Sequence, residues 1–289
     1  MKQSWQNGMA VGLSRGAVMA AHDFLFLKIS CAVAILVLGV YAWHSPAGGP
    51  KGDTWLGYAL GIGSALLVCW LAYFGIRKRR YAAGNVDLRT WLAAHIYLGI
   101  LVIITATLHS GFRIGLNLHG LAWLLLVLTC ISGVFGLQAY IRYPRLMVAN
   151  RGGITFDSLL GQIADADREM QATAMPMGDD LSRFVHAAVT GTTISGTAWQ
   201  KLSGRFTACP TARMRQAVEA RLQSPVVDEV PALRQLLAQV TRKEALLARV
   251  RRELQLLAWL QVWLFFHVPL SCALLAAITA HVTAVMFFL

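Results

Sequence analysis

The sequence predicts an all-α membrane protein with five transmembrane helices and a helical insert before the last of them. The chain has 289 residues, of which 56% are apolar and only 14% are charged, and its mean hydropathy is +0.54. Soluble domains carry about a quarter charged residues, so this composition excludes an ordinary soluble protein and a disordered one. Five long windows contain no Asp, Glu, Lys or Arg: residues 29–50, 54–76, 90–112, 114–141 and 254–289.

Each window is long enough for one membrane crossing, because a helix needs about 20 apolar residues to span the hydrocarbon layer. Backbone groups in lipid must be satisfied within the segment, which favours helices. The first span is predicted to be a retained helix. A cleaved signal peptide is the alternative, but no small-x-small cleavage site follows closely. The predicted spans are Phe24–Trp43, Trp55–Ile76, Thr90–Gly111, Leu121–Ile141 and Leu257–Leu289.

Basic residues predict the orientation of these spans. Lys2 and Arg15 precede the first span, and a basic run at 77–80 lies with Arg89 between the second and third. The connections after spans one and three carry one basic residue each. Because Lys and Arg favour the cytoplasmic side, we expect a multi-pass protein of a bacterial inner (plasma) membrane. Its N-terminus is expected in the cytoplasm and its C-terminus outside.

The spans divide the chain into four predicted parts. Residues 1–23 form a cytoplasmic N-terminal segment, and 24–141 contain the first four membrane helices. Residues 142–256 form a cytoplasmic helical insert with a stalk, and 257–289 form the fifth membrane helix.

The insert is the long polar region of the chain, with 16 Lys and Arg against 11 Asp and Glu in residues 142–255. Apolar periodicity predicts helices over Ser158–Met170 and Thr211–Leu222, separated by a looser stretch rich in Gly and Thr. From Pro231 onward apolar residues recur every three or four positions, and no proline or glycine interrupts 232–268. One helix is therefore predicted to run from the insert into span five. It packs either against a neighbouring helix or partner subunit, or on the insert's own small domain.

Several cofactor classes are excluded by missing motifs. The five cysteines form no CxxC or CxxCH, which argues against covalent c-type haem, a zinc site and a cysteine-bound iron–sulfur cluster. Neither GxGxxG nor a Walker loop is present, so bound NAD, FAD or ATP is not expected. The net charge of +12 lies beside the spans and in the insert, which indicates membrane topology and no nucleic-acid partner.

Four of the eight histidines lie inside predicted spans, at matched spacings. His95 and His109 are 14 residues apart on span three, and His267 and His281 are 14 apart on span five. Fourteen residues rise about 21 Å and turn about 1400°, about 40° short of four turns, so both histidines of a pair share one helix face. Spans three and five are predicted to be parallel. His95 therefore faces His267 on the inner side, and His109 faces His281 on the outer side.

Two imidazoles without a carboxylate or thiolate are typical of bis-histidine ligation of a low-spin b-type haem. The spacing thus predicts two haems, with His95 and His267 on the inner haem iron and His109 and His281 on the outer. A single membrane histidine would favour an interhelical hydrogen bond instead. A zinc or copper transport path or a proton relay would normally add carboxylates, and these spans contain none.

Four-histidine ligation from two helices resembles the membrane cytochrome b superfamily. That superfamily includes cytochrome b of quinol–cytochrome c reductases, the b subunits of formate dehydrogenases and nickel–iron hydrogenases, and the ferric reductase/NADPH oxidase membrane domain. Histidines on the third and fifth helices look most like the ferric reductases, over roughly residues 54–141 and 257–289. Ferric reductases carry a flavin and nicotinamide domain after the last helix, whereas this sequence ends at Leu289 without one.

Further residues fit such a site less specifically. Gly61, Gly99 and Gly133 could admit the flat face of a haem, although small residues also serve ordinary helix packing. Arg113 follows the outer ligand His109 and could pair with haem propionates. Two other histidines, His44 and His119, could contact a quinone or a partner, and as loop residues they are expected to be solvated.

These features predict a dihaem cytochrome b subunit that carries electrons between an inner-side redox partner or quinone pool and an outer-side partner. The resemblance implies a soluble flavoprotein or iron–sulfur subunit on the cytoplasmic side and cytochrome c or another donor or acceptor outside. One alternative is a self-sufficient quinol-dependent reductase that acts at the outer face. Another is a metal transporter without redox function that uses the histidines as a relay.

Overall fold

The computed structural model describes residues 23–44, 52–80, 88–207 and 209–287, and within these ranges the regular structure is helical throughout. The predicted all-α fold is thereby confirmed. The helices are α1 (Leu25–Trp43), α2 (Trp55–Arg80), α3 (Leu88–His109), α4 (Leu118–Arg151), α5 (Phe156–Ala174), α6 (Asp179–Thr190), α7 (Ala198–Ser203), α8 (Pro210–Gln223) and α9 (Val230–Phe287), and a 3-10 turn covers Val227–Glu229.

Five of these helices, α1 to α4 and α9, are long and apolar enough to cross a membrane. Their exposed surfaces carry large apolar side chains that water would solvate poorly, such as Ile35 at 71%, Leu66 at 66% and Phe265 at 73% exposure. Exposed apolar side chains of this kind mark surfaces that contact a membrane or another protein. The prediction of a multi-pass membrane protein agrees with both observations.

The fourth membrane helix is longer than predicted at both ends. It begins at Leu118, three residues before the predicted start, and continues past 141 to Arg151. The predicted membrane span lies within this helix, because Arg142 ends the uncharged window without ending the helix. The helix stops where Gly152 and Gly153 adopt positive φ values of 63° and 89°, which glycine tolerates without steric cost.

The predicted continuous helix between the insert and span five is confirmed. Helix α9 runs over 58 residues from Val230 to Phe287. Pro231 is its second residue, where the missing N–H costs no hydrogen bond.

The chain divides into two compact units, each with its own core. One contains residues 1–141 and 262–289, and we call it the membrane unit. The other contains residues 142–261, and we call it the insert unit.

The core of the membrane unit is centred on a buried apolar cluster, which we call the middle layer. Four helices contribute one buried residue each: Val68 from α2, Val102 from α3, Leu126 from α4 and Leu274 from α9. Two interhelical hydrogen bonds accompany this packing. The Ser64 hydroxyl donates to Thr105 Oγ1 at 2.8 Å, and the Trp123 indole donates to Thr107 Oγ1 at 3.0 Å.

In the insert unit, α5, α6 and α8 pack on the first part of α9. The stretch that the sequence predicts to be loose contains α6, with Leu181 and Val185 in the core, so that prediction was wrong. Two buried charges on α9 are paired: Lys243 Nζ lies 2.5 Å from the Asp167 carboxylate, and Glu253 pairs with Arg151. Removing one partner of such a pair would leave an uncompensated buried charge.

Candidate functional site

The four paired histidines on α3 and α9 each lie seven residues from the middle layer. On α3, Val102 is seven residues after His95 and seven before His109. On α9, Leu274 has the same relation to His267 and His281. Seven residues rise about 10 Å, so the histidines form two levels about 21 Å apart, one on each side of the layer.

Three histidines meet at one of these levels, and we call them the triad: His109, His119 and His281. One ring nitrogen of each lies within 4.8 Å of those of the other two. Nδ1 of His119 is 3.5 Å from Nε2 of His281. The ring centroids are separated by 5.0 Å for His119 and His281, 5.3 Å for His109 and His119, and 6.2 Å for His109 and His281.

The triad also shows the relative directions of α3, α4 and α9. His109 and His281 each follow their middle-layer residue by seven positions, so α3 and α9 are parallel as the sequence predicts. His119 precedes Leu126 by seven positions, so α4 runs in the opposite direction.

His119 is the functional candidate that sequence reasoning misplaced. It lies in the first turn of α4 with a half-buried ring, and it is neither a loop residue nor solvated. The start of α4 is tightly closed: the Asn117 side-chain oxygen accepts from the Gly120 N–H at 2.8 Å, and a Cβ on Gly120 would overlap the Gly115 carbonyl. The sequence carried one signal for His119: it precedes Gly133 by 14 residues, the same spacing as in the two histidine pairs.

The ring of His109 is held by α2. Its Nδ1–H donates to the Gly57 carbonyl oxygen at 2.7 Å, which leaves Nε2 with the free lone pair. A metal-ligating histidine usually has its second ring nitrogen bonded in this way. Gly61, one turn further along α2, lies against the same ring, since a Cβ there would come within 2.7 Å of the His109 Cε1.

At the other level, the ring of His267 is held by side chains. Its Nδ1 lies 2.8 Å from the Ser132 hydroxyl, and the Trp263 ring lies 5.3 Å away, centroid to centroid. The Trp263 indole donates to the Ser132 carbonyl at 2.9 Å, which connects the three residues. A Cβ on Gly136 would overlap the Trp263 ring, so glycine is required for this approach.

The remaining predicted residues have different surroundings. His95 is half-buried and, by register, lies at the level of His267. Gly133 is close to His267, where an added Cβ would lie 3.7 Å from Cε1. A Cβ on Gly99 would meet no heavy atom within 4 Å, so the space beside its Cα is open. The Arg113 side chain is exposed in the loop after α3.

His44 does not have the solvated position expected of it. It caps the C-terminus of α1 and is half-buried, with its ring centroid 5.3 Å from that of Trp55 in a T-shaped arrangement. It does not belong to the triad.

The triad offers three imidazole nitrogens within 4.8 Å of one another, a spacing that suits direct binding of one metal ion. A haem between His109 and His281 would require the His119 ring to move aside, because that ring lies 5.3 Å and 5.0 Å from the other two. The three donors are all imidazoles, which suit iron, copper and zinc. The Gly57 carbonyl and the Ser132 hydroxyl supply the hydrogen bonds that orient such ligands.

No protein-family model matches the sequence, and no curated protein or solved structure is significantly similar to the chain.

Proposed function

We propose that this protein is a membrane electron carrier that holds two b-type haems, one at each histidine level. His109 and His281 would ligate one haem, and His95 and His267 the other. A bis-imidazole haem accepts and donates single electrons without an open coordination position for oxygen. The observation that carries the proposal is the shared register of α3 and α9, in which histidines flank one buried layer at equal distances on parallel helices.

Neighbouring groups orient a histidine ring at each level. The Gly57 carbonyl fixes His109 in the tautomer whose Nε2 is free to bind a metal. Ser132 and Trp263 orient His267. The middle layer between the levels is apolar and buried, which excludes water and mobile ions from the path.

The partners are part of the same proposal. An electron carrier with haems near both membrane faces needs a donor on one face and an acceptor on the other. A flavoprotein or iron–sulfur subunit and cytochrome c stay predictions from the resemblance. The sidedness stays a prediction from the basic residues, and the quinone and the outer-face quinol reductase stay predictions from the sequence.

Electron transfer across a sealed membrane tests the proposal. The purified chain is reconstituted into vesicles that contain ferricyanide, and a membrane-impermeant reductant is added outside. We expect loss of internal ferricyanide with the wild type and not with protein-free vesicles or the His267→Ala variant. A haem-loaded wild type that transfers no electrons would contradict the proposed function.

A second candidate function is favoured by the triad itself. Three imidazole nitrogens within 4.8 Å could bind one zinc or copper ion directly, with a fourth position open. In that case the triad would be a metal site or part of a metal transport path, and not a haem site. Metal analysis separates the two candidates: about one zinc or copper ion per chain, with haem at no more than one level, would favour the metal site.

A further inference from the structure

We infer that a basic cavity in the insert unit binds the phosphate headgroup of an anionic phospholipid. The cavity has a volume of about 380 Å³ and is partly open to the surface. Cavities of this size are large enough to hold a small ligand or a lipid headgroup. No histidine lines the cavity among the described residues, so the inference goes beyond the proposed electron transfer and does not depend on it.

The cavity carries the positive charge that a phosphate requires. Arg251 and Arg252, which are neighbours on α9, both line it. Arginine presents a planar fork of N–H donors that matches the oxygens of a phosphate. Among the described residues of the lining, Glu244 is the one carboxylate, and its Oε2 is already paired with Arg215 Nε at 2.9 Å. The lining therefore keeps a net positive charge.

The Arg251 guanidinium is held in place by its neighbours in the insert unit. Its Nη2 donates to the Thr193 carbonyl oxygen at 2.8 Å and to the Cys209 Sγ at 3.4 Å. The guanidinium carbon lies 4.0 Å from the centroid of the Phe206 ring. A guanidinium has five N–H donors, so these two bonds leave donors for phosphate oxygens. Because the group is already fixed, it loses little side-chain freedom when a phosphate binds.

The cavity lies at the part of α9 where the uncharged stretch begins. Arg252 directly precedes this stretch, which starts after Glu253, and Gln255 within it also lines the cavity. Basic residues immediately beside a membrane span attract anionic lipid headgroups. Trp259 lies one turn after Gln255 on the same face of α9 and is 39% exposed. An acyl chain can therefore lie along this face while the phosphate occupies the cavity.

Helix α7 places further interfacial side chains beside the same part of α9. The Gln255 side-chain amide donates to the Leu202 carbonyl oxygen at 3.0 Å, which joins α7 to α9. Trp199 in α7 is 76% exposed, and tryptophan favours the interface between membrane and water. Residues 196–206 include two basic residues and no Asp or Glu. These features favour a lipid over a soluble phosphate ester as the occupant.

The test uses the cavity thiol of Cys209 as a reporter in the purified full-length chain. The chain is titrated in a neutral detergent with phosphatidylglycerol or with phosphatidylcholine. Alkylation of Cys209 by N-ethylmaleimide is followed by peptide mass spectrometry, which separates it from the other four cysteines. We expect saturable protection of Cys209 by phosphatidylglycerol and little protection by phosphatidylcholine.

Two matched substitutions separate the cavity from general surface charge. Arg252→Gln removes a guanidinium that lines the cavity, whereas Arg249→Gln removes an exposed guanidinium three residues earlier on α9 that does not line it. We expect the affinity for phosphatidylglycerol to fall about tenfold in Arg252→Gln, the size of one hydrogen bond to a charged group, and about twofold or less in Arg249→Gln. Circular dichroism reports whether each variant keeps the helix content of the wild type.

Four results would overturn the inference. Absence of protection by phosphatidylglycerol would show that the cavity does not bind it, and equal protection by phosphatidylcholine would show no preference for an anionic headgroup. Equal losses of affinity in Arg252→Gln and Arg249→Gln would assign the binding to surface charge. Equal protection by inorganic phosphate or glycerol 3-phosphate at the same concentration would identify a soluble phosphate compound, and not a lipid, as the ligand.

Discussion

The two histidine levels of the membrane unit have the same helical register but different surroundings. At the triad, three imidazoles lie together and a backbone carbonyl on α2 holds His109. At the other level, a serine hydroxyl and a tryptophan ring hold His267. Equal spacing along α3 and α9 therefore produces two levels that differ in how many imidazoles lie together and in what holds the rings.

This difference has a physical consequence for how each level tolerates change. A backbone carbonyl, such as the one that holds His109, cannot be removed by substitution. A hydroxyl and a single ligand can both be deleted by one substitution each. We therefore expect haem binding at the level of His267 to be sensitive to the loss of single side chains. We expect haem binding at the triad to be sensitive to added side-chain volume.

The largest expected effect is loss of a whole haem in His267→Ala. The variant removes a ligand that no neighbouring imidazole replaces among the described residues, so haem content should fall from two to one per chain. Redox titration should show that the remaining haem keeps its wild-type potential. Retention of two low-spin haems would contradict the asymmetry between the levels.

A smaller effect is expected from Gly61→Ala, which adds a methyl group beside His109. The new Cβ would lie 2.7 Å from Cε1 of a ring that is held by Gly57, so the ring must move and its hydrogen bond must weaken. Overpacking of this kind costs about 1–3 kcal/mol. We expect lower haem occupancy at the triad and a lower Tm, measured by spectroscopy and thermal unfolding.

Gly63→Ala is the matched control for that change. It lies two residues further along α2, is exposed, and its added Cβ would meet no heavy atom within 4 Å. Equal losses of haem and Tm in the two variants would show that they come from a change in helix α2 itself and not from the contact with His109.

The smallest expected effect comes from Ser132→Ala, which deletes the hydrogen-bond partner of His267 Nδ1. Loss of such a partner typically lowers metal affinity about 10- to 100-fold. We expect weaker haem retention during dialysis against apomyoglobin, at this level only. Ser271→Ala is the control, because the Ser271 hydroxyl bonds the backbone carbonyl of His267 and not its ring. Unchanged retention in Ser132→Ala would contradict a positioning role for the hydroxyl.

The membrane helices could be predicted from the sequence because lipid imposes a simple requirement on them. Long uncharged windows are visible without any tertiary information, and the 14-residue spacings give the relative heights of the four paired histidines. The meeting of His109 with His281 follows from those heights once α3 and α9 are parallel.

The positions that were missed depend on contacts rather than on composition. His119 was assigned to a loop because the predicted helix began at Leu121, and its approach to His281 is a contact across 162 residues. Helix α6 was missed because its short apolar pattern is diluted by the Gly and Thr residues that follow it, and the packing that stabilises it comes from α8 and α9.

Haem stoichiometry of the purified wild-type chain is the most direct measurement of whether both levels bind haem. Pyridine haemochrome absorbance is measured with the protein concentration and total iron, together with a reduced-minus-oxidised spectrum. We expect two b-type haems per chain and low-spin bis-imidazole signals. A chain with no haem, or with one haem and a zinc or copper ion at the triad, would contradict the assignment of both levels to haem.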